Sequence, residues 1–339
     1  MHYLGLCCIV KDETPFLEEW IAFHALMGVE AFVIYDNGST VPVHETLAPL
    51  SRRYAVTVVE APGPARQIPC YDHCLKTFGK HFAWMGFIDM DEFVLPLRHL
   101  DLRLLLSHYE HRAGLGFHWM PFGSNGHKTR PPGLQIENYT LALPTLEPAI
   151  WHVKLFVRPA KIRYFINPHT VSCLEGEVVN TDNLPVRGPM SHPIARDLCQ
   201  INHYYFRSHQ DFYNKMRRGM ADSRREHRLP TRLDLPHGDV EDLTAARHAP
   251  RVRQLLEQPE ASQSLLFRPQ IPDTPEALAD AFASLMRQRP AQALILLAKG
   301  RQRFPRHPLL TLLTEKSAKL AACITADSEQ AFEHYSKHQ

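Results

Sequence analysis

Apolar runs of strand length alternate with segments of helical periodicity in the first part of the chain. Residues 3–10 form a continuous apolar run, which predicts a strand buried on both faces. Thr14 then suits the N-cap of a helix, Pro15 its first turn, and Gly28 its end. Between them, apolar side chains recur every three or four residues, which is the period of a helix face. These positions are Phe16, Trp20, Phe23 and Met27.

The same alternation continues toward residue 90. Further strands are predicted at residues 31–35, 55–60 and 83–88, and helices at 43–50 and 67–78. The sequence Asp-Asn-Gly-Ser, which favours a turn, closes the second strand. Repeated strand–helix order predicts an α/β fold in which a mostly parallel sheet is flanked by helices.

The sequence changes character after the first 232 residues. Residues 1–232 are predicted to form one domain, 233–272 a linker rich in proline, histidine and acidic residues, and 273–339 a helical C-terminal appendage. In this appendage helices are predicted from Thr274 onward, over 290–303 and over 308–322. We expect the appendage to serve docking or the formation of a homodimer. The alternative is simple packing against the first domain.

The composition is that of an ordinary soluble globular protein, with 44% hydrophobic and 22% charged residues. A net charge of +2 gives no general bias toward nucleic acid. No basic leader precedes the first apolar run, and no apolar run approaches the roughly 20 residues that span a bilayer. Seven cysteines without a CxxC pair favour reduced thiols. We therefore expect a cytoplasmic protein.

Acidic and amide side chains follow three of the predicted strands. In open α/β sheets, ligands bind beyond the carboxyl ends of the strands, so these side chains should meet at one edge. Carboxylate oxygens suit Mg²⁺ or Mn²⁺, and such an ion would offset their repulsion and hold a phosphate. The sequence therefore predicts a metal–diphosphate site, with Asp91 as the inner ligand and Asp89 nearer the ribose or in the outer shell; a solvated acidic turn is the alternative. The residues concerned are Asp12, Glu13, Asp36, Asn37, Asp89 and Asp91.

Seven sequence motifs occur in a characteristic order between residues 3 and 225. They read KDETPFLEEWIAFHALMGVEAFVIYDNGST, DMDEF, FGSNGH, GLQIENYT, KLFVRP, NPHTV and NHYYFRSHQDFYNKMRRGMAD. Together they resemble the nucleotide-sugar-dependent glycosyltransferases of the Rossmann-like GT-A fold, and more closely the family 92 and family 2-like bacterial group. Two departures are Asp12, where the family usually has Asn, and Asn138-Tyr139, where Arg-Phe is usual.

The resemblance implies transfer of a hexose, with galactose as the first guess, from a UDP-sugar to an acceptor hydroxyl with inversion. It implies Mn²⁺ or Mg²⁺ as the cofactor. Because the chain is short and expected to be cytoplasmic, we expect the acceptor to be a glycan or lipid-linked glycan of the bacterial surface, such as lipopolysaccharide or capsule.

The resemblance also implies a set of donor-binding residues. Asp36 and Asn37 match the family's turn that contacts the nucleoside, and Glu13 lies in the neighbouring motif; turn formation alone is the alternative. Arg66 and Gln67 open a predicted helix and could meet a phosphate or the uracil, and a solvated helix start explains them equally well. The full set is Asp12, Glu13, Asp36, Asn37, Arg66, Gln67, Asp89, Lys215 and Arg218.

Histidines late in the sequence are assigned to the metal and the acceptor. GT-A enzymes often complete the metal shell with a late histidine, and His203 is the candidate beside Asp89 and Asp91. A histidine that is hydrogen-bonded within a strand is the alternative. His169 is the second choice for the metal and, together with His127, is assigned to the acceptor side.

The general base for the acceptor hydroxyl has four candidates. Glu137 matches the family's middle glutamate and is the first choice. Glu175, Glu177 and Asp182 lie where many GT-A enzymes carry the base. A structural salt bridge is the alternative for each.

Basic residues crowd the segment 215–232. Lys215 and Arg218 match a Lys and an Arg-Gly pair of the family and would clamp the diphosphate, with Gly219 allowing a close or mobile backbone. The remaining arginines are expected to face an anionic acceptor or the inner membrane surface, and a solvated helix face is the alternative.

Two rival functions remain open from the sequence. A nucleotidyltransferase also uses carboxylates at strand ends, but it usually begins with a basic, glycine-rich loop where this chain has Lys-Asp-Glu. A non-catalytic sugar-nucleotide-binding or interaction protein is the second rival, against which the retained acidic and basic residues argue.

Overall fold

The computed structural model describes residues 1–99, 101–219, 235–258 and 266–323. The strands are β1 (His2–Val10), β2 (Ala31–Asp36), β3 (Ala55–Glu60), β4 (Phe82–Phe87), β5 (Glu92–Pro96), β6 (Gly114–Pro121), β7 (Leu141–Ala142), β8 (Val153–Val157), β9 (Ile162–Asn167), β10 (Thr170–Cys173), β11 (Val178–Val179), β12 (Cys199–His203) and β13 (Val240–Glu241). The helices are α1 (Thr14–Leu26), α2 (Val43–Leu47), α3 (Gln67–Phe78), α4 (Leu102–Ser107), α5 (Gln135–Asn138), α6 (His209–Arg218), α7 (Ala249–Glu257), α8 (Pro275–Met286), α9 (Pro290–Arg303) and α10 (Pro308–Cys323).

The main sheet of the described residues has nine strands in the order β3-β2-β1-β4-β8-β6-β12-β5, with β11 beside β6. Strands β3, β2, β1 and β4 are parallel to one another. Strand β8 runs antiparallel to both β4 and β6, and β5 runs antiparallel to β12. The prediction of a mostly parallel α/β sheet flanked by helices is confirmed. The reversed strand β8 brings its beginning to the edge where β1 and β4 end.

Helix α1 begins and ends close to where the sequence predicts. Gly28 follows it with φ of 99°, and a Cβ there would collide with the Asp101 carboxylate, so only glycine fits. Every residue of α1 from Glu19 onward is buried, because the helix contacts both β5 and α7. Hydrophobic burial on two sides therefore fixes the helix that precedes the site.

The segment predicted as a linker contains regular structure. Strand β13 pairs with β7, and helix α7 packs against α1 with Val252 and Leu255 fully buried in the main core. The described part of 233–272 is thus joined to the first domain, since a short amphipathic helix covers an apolar face that α1 would otherwise expose.

The C-terminal helices also pack against the first domain. Helix α9 contacts α4 and β1, and its Lys299 donates to Glu30 at 2.6 Å. Arg103 of α4, which is buried, donates to the same Glu30 at 2.8 Å and to the carbonyl of Phe267 at 2.8 Å. One face of the appendage is therefore covered by the chain itself, while a homodimer through these helices stays a prediction. In the part of the chain that the structure describes, no helix has the length and apolarity to cross a bilayer.

Candidate active site

The acidic triplet occupies the turn between β4 and β5. Strand β4 ends at Phe87 and β5 begins at Glu92, and three other strands lie between β4 and β5 in the sheet. Glu92 is fully buried, and its Oε2 accepts a hydrogen bond from the Asp89 backbone N–H at 2.8 Å. Glu92 thus closes the turn, which leaves Asp89 and Asp91 at the carboxyl end of the parallel strands.

A cavity of about 260 Å³ lies at this edge of the sheet. Nine of the residues predicted for the site line it: Glu13, Asn37, Gln67, Asp89, Asp91, His169, His203, Lys215 and Arg218. The carboxyl ends of β1, β4 and β12 supply some of them, and helix α6, which begins shortly after β12, supplies two more. Its N-terminus is held by the Ser208 hydroxyl, which accepts from the Asp211 backbone N–H at 3.1 Å.

Two lysines offset the repulsion between the carboxylates. The Nζ of Lys154 donates to Asp89 Oδ2 at 2.8 Å and lies 3.8 Å from Glu92 Oε1. The Nζ of Lys215 donates to Asp91 Oδ2, and it lies 3.7 Å from the centre of the Tyr205 ring. Each aspartate of the turn therefore has its own ammonium partner.

These contacts decide which carboxylates are charged. Burial alone would raise the pKa of Asp91, but Lys215 and His203 outweigh it and hold the pKa well below its usual value. Burial acts likewise on Asp89, where Lys154 outweighs it and the pKa is again lowered. For Glu92, burial prevails and raises the pKa well above its usual value. Asp89 and Asp91 are thus anionic at neutral pH.

A second ion-pair group adjoins the first. Burial would raise the pKa of Glu13, but two arginines lower it: Arg207 donates to Oε2 at 2.5 Å and Arg218 donates to Oε1. Arg207 also donates to the Met90 carbonyl at 3.2 Å and lies 3.6 Å from the centre of the Phe16 ring. The β1–α1 loop is therefore tied to the acidic turn.

Basic side chains outnumber acidic ones in the lining of the cavity. The acidic residues are Glu13, Asp89 and Asp91, and the basic residues are Lys11, Lys154, Lys215 and Arg218. This excess of positive charge suits an anionic ligand.

Histidines and one tryptophan form another side of the cavity. The Trp119 ring lies 4.2 Å from the His203 ring and 5.4 Å from the His169 ring, centre to centre. His169 Nδ1 lies 2.7 Å from the Val153 carbonyl, which can only accept, so Nδ1 carries the proton and Nε2 is an acceptor. Burial lowers the pKa of His169 to about 3, so its ring is neutral at pH 7.

His169 also borders a neighbouring cavity of about 220 Å³. Glu177, one of the alternative bases, lines this second cavity and pairs with Arg112 at 3.0 Å. Glu175 pairs with Lys161 at 3.1 Å, and Asp182 lies in a turn where its N–H donates to the Asn180 side chain.

Two of the predicted donor residues shape loops instead of lining the cavity. The Asp36 carboxylate accepts from the backbone N–H groups of Ser39 at 2.8 Å and Val43 at 3.0 Å, so it holds the turn into α2. Asp12 has φ of 52° and accepts from the Thr40 N–H at 2.7 Å. Both carboxylates are used for local structure because the backbone N–H groups of one loop need acceptors.

Three further predicted residues also lie outside the cavity lining. Arg66 donates to the Pro62 carbonyl at 2.8 Å. The Glu137 carboxylate pairs with Arg253, and a ring nitrogen of His127 lies 3.1 Å from the Asn138 carbonyl. The structure therefore does not bring Glu137 to the acidic turn, since a helix that the sequence did not predict, α7, supplies its partner. Residues 220–234, which hold most of the predicted basic segment, lie outside the described residues.

The predicted metal set is only partly brought together. Among the described residues, no three His, Cys, Asp or Glu side chains group closely enough to hold a metal by themselves. Asp89 is engaged on both oxygens, by Gln67 at 2.8 Å and by Lys154. Asp91 Oδ1 and His203 Nε2 lie 3.6 Å apart and both border the cavity. One carboxylate and one imidazole fit an ion that takes its other ligands from a diphosphate and water.

Sequence reasoning missed Lys154 and Arg207. Both lie in motifs that were quoted above, yet neither was given a role. Lys154 lies within an apolar strand of the sequence, and buried lysines occur almost only where they are paired with an acidic group. This position could therefore have indicated an ion pair. Arg207 gave no comparable signal, since its partner Glu13 lies 194 residues earlier in the chain.

Comparison with known proteins agrees with the resemblance seen in the motifs. The profile of the family described as "Glycosyltransferase family 92" matches residues 3–235. A family 92 protein of Oryza sativa subsp. japonica is 29% identical over 218 residues, which are 63% of this chain and 35% of the relative. A family 92 protein of Arabidopsis thaliana is 27% identical over 231 residues, which are 65% of this chain and 38% of the relative. The chain thus spans little more than a third of the length of these plant relatives.

Solved structures of S. aureus TarS were also matched to this chain. For TarS 1-349 in complex with UDP, the TM-score is 0.36 and the identity 12%, over 90% of this chain and 93% of that one. For the complex with UDP-GlcNAc the TM-score is 0.35, at the same identity and coverage. At these scores the two folds do not superpose closely. The family match, which covers well over half of the chain, shows that this protein belongs to glycosyltransferase family 92.

Proposed function

We propose that this protein transfers a hexosyl group from a UDP-sugar to a hydroxyl group of a glycan, with Mn²⁺ or Mg²⁺ as the cofactor. The observation that carries the proposal is one cavity in which Asp91 and His203 face Lys215 and Arg218. The first two suit a divalent ion, and the last two suit a diphosphate. When bound, such an ion supplies charge neutralisation for the leaving nucleoside diphosphate.

The remaining residues of the cavity would position the donor. Gln67 holds Asp89 at 2.8 Å, and the Asn37 side-chain amide donates to the carbonyls of Ala61 and Gly63, at 2.7 Å each. The Asn37 amide is thus held by groups outside the cavity lining, and the Gln67 amide by Asp89 within it. Rigid polar groups lower the entropic cost of ordering a nucleotide, and we assign this side to the nucleoside and ribose.

The acceptor would enter beside Trp119 and His169. His152 stacks on the Trp119 ring at 4.9 Å, so the sugar ring would contact the part of the tryptophan that borders the cavity. Nε2 of His169 can accept a hydrogen bond from the acceptor hydroxyl, because Nδ1 carries the proton. We propose that His169 orients this hydroxyl. Galactose as the donor sugar and inversion at the anomeric carbon rest on the family resemblance alone, and a cell-surface glycan as the acceptor rests on the expected location of the chain.

The test measures UDP release from UDP-galactose, UDP-glucose and UDP-GlcNAc, with Mn²⁺, with Mg²⁺ and with EDTA. We expect slow hydrolysis that needs the ion and that falls on the order of 100-fold in Asp91→Asn, because electrostatic stabilisation of the leaving group is lost. Asp280→Asn, which removes an exposed carboxylate on α8, is the matched control and should equal the parent protein. Binding of UDP without release, even with a panel of glycan acceptors, would favour the non-catalytic sugar-nucleotide-binding protein.

A further inference from the structure

The two lysines of the cavity differ in how firmly they are held. Lys154 lies on β8, an inner strand between β4 and β6, and its side chain is 1% exposed. Burial by itself would lower its pKa, but the carboxylates of Asp89 and Glu92 outweigh it and the pKa is raised. Moving this ammonium away from its two carboxylate partners would leave buried charges unpaired, so we expect it to stay in place.

Lys215 is held more loosely. It lies near the end of α6, its side chain is 19% exposed, and its contacts are Asp91 and the face of the Tyr205 ring. Gly219 directly follows the helix, with φ of 81° and no atom within 4 Å of an added Cβ. A lysine stem has four rotatable bonds, so this ammonium can move within the cavity without a change in the backbone.

The ammonium of Lys215 forms an ion pair with Asp91, which is the carboxylate that a divalent ion would bind. An ion beside Asp91 and His203 would face this positive charge at contact distance, and the two cations repel each other strongly in a site shielded from water. Arg218, three residues further along the same helix, borders the same cavity. A diphosphate there would offer the displaced ammonium a new anionic partner beside that arginine.

We propose that Lys215 is an exchangeable counter-ion: it neutralises Asp91 in the empty site and transfers to the diphosphate when a divalent ion takes its place. Lys154 is the permanent counter-ion of Asp89 and does not exchange. The inference rests on the proposed function, because it needs an ion and a diphosphate to bind here. If Lys215 exchanges in this way, the divalent ion and the diphosphate each raise the affinity of the site for the other, in part because one lysine is released from Asp91.

The test is calorimetric titration with Mn²⁺ alone, UDP alone, and each in the presence of the other. In Lys215→Met we expect Mn²⁺ alone to bind at least tenfold more tightly than in the parent protein, because Asp91 is no longer occupied. The effect of Mn²⁺ on UDP affinity should shrink in the same variant. Arg218→Met removes the same charge from the same cavity but leaves Asp91 paired, so its affinity for Mn²⁺ alone should change less than threefold. Arg217→Met, on the exposed side of the helix, should change nothing.

Acetic anhydride labelling of the parent protein, read by mass spectrometry, gives a second measurement that needs no variant. Lys215 should react faster with Mn²⁺ present and should be protected when UDP is added, while Lys154 stays unlabelled in the folded protein throughout. Unchanged Mn²⁺ affinity in Lys215→Met, with UDP and Mn²⁺ still binding together to the parent protein, would overturn the inference and leave the proposed function standing. Absence of UDP binding to the parent protein under every condition would overturn both.

Discussion

Removal of the Lys154 ammonium tests whether an internal ion pair holds the acidic turn. At the observed 2.8 Å, the Coulomb energy is roughly 6 kcal/mol for an effective dielectric constant of about 20. Water screens part of this, because the Asp89 side chain is 34% exposed. We therefore expect Lys154→Met, which keeps most of the side-chain volume, to lower the free energy of unfolding by about 3 kcal/mol, near the lower end for a broken buried pair.

The assay is urea unfolding followed by tryptophan fluorescence, arranged as a double-mutant cycle with Asp89→Asn. If the two side chains act as a pair, the double variant should be about 1–2 kcal/mol more stable than the sum of the single effects implies. Lys161→Met is the matched control, since its partner Glu175 is 74% exposed, and it should cost less than about 1 kcal/mol. Additive effects of Lys154→Met and Asp89→Asn, within about 0.5 kcal/mol, would refute this account of the turn.

Two other predictions concern the catalytic base and the acid stability. Glu137→Gln should keep kcat/KM within about threefold, because its carboxylate pairs with Arg253 outside the cavity. A loss near that of Asp91→Asn would instead support Glu137 as the general base. His24 is buried, and burial lowers its pKa from 6.5 to about 3, so its ring is neutral in the folded protein. Between these pH values the unfolded chain binds more protons than the folded protein, and the free energy of unfolding therefore falls as the pH falls. Between pH 7 and 4.5 this residue should lower the free energy of unfolding by about 2–3 kcal/mol. Urea unfolding of His24→Gln at both pH values should show a pH dependence that is smaller by this amount. Equal pH dependence in the two proteins would contradict the assignment.

Much of the fold was determined by patterns that are local in the sequence. Strand β3 and helices α3 and α9 have the bounds that hydrophobic periodicity and terminal residues predict. Thr274 caps α8 as expected, with its hydroxyl accepting from the Ala277 N–H. Helix α7 was missed, because nine residues amid polar and proline-rich sequence give a weak periodic signal, and its stability comes from packing against α1.

The sequence alone also determined which strand ends carry acidic residues. The alternation of strands and helices further determined that those ends lie at one edge of the sheet. Only the tertiary structure decided which carboxylates face the cavity and which are bound elsewhere. Asp36 and Asp91 look alike in the sequence, yet one satisfies two backbone N–H groups and the other meets a lysine 124 residues away. The physical reason is that an ion pair depends on distance in space: the reversed strand β8 brings Lys154 beside a turn 65 residues earlier in the chain, and no pattern of neighbouring residues records that contact.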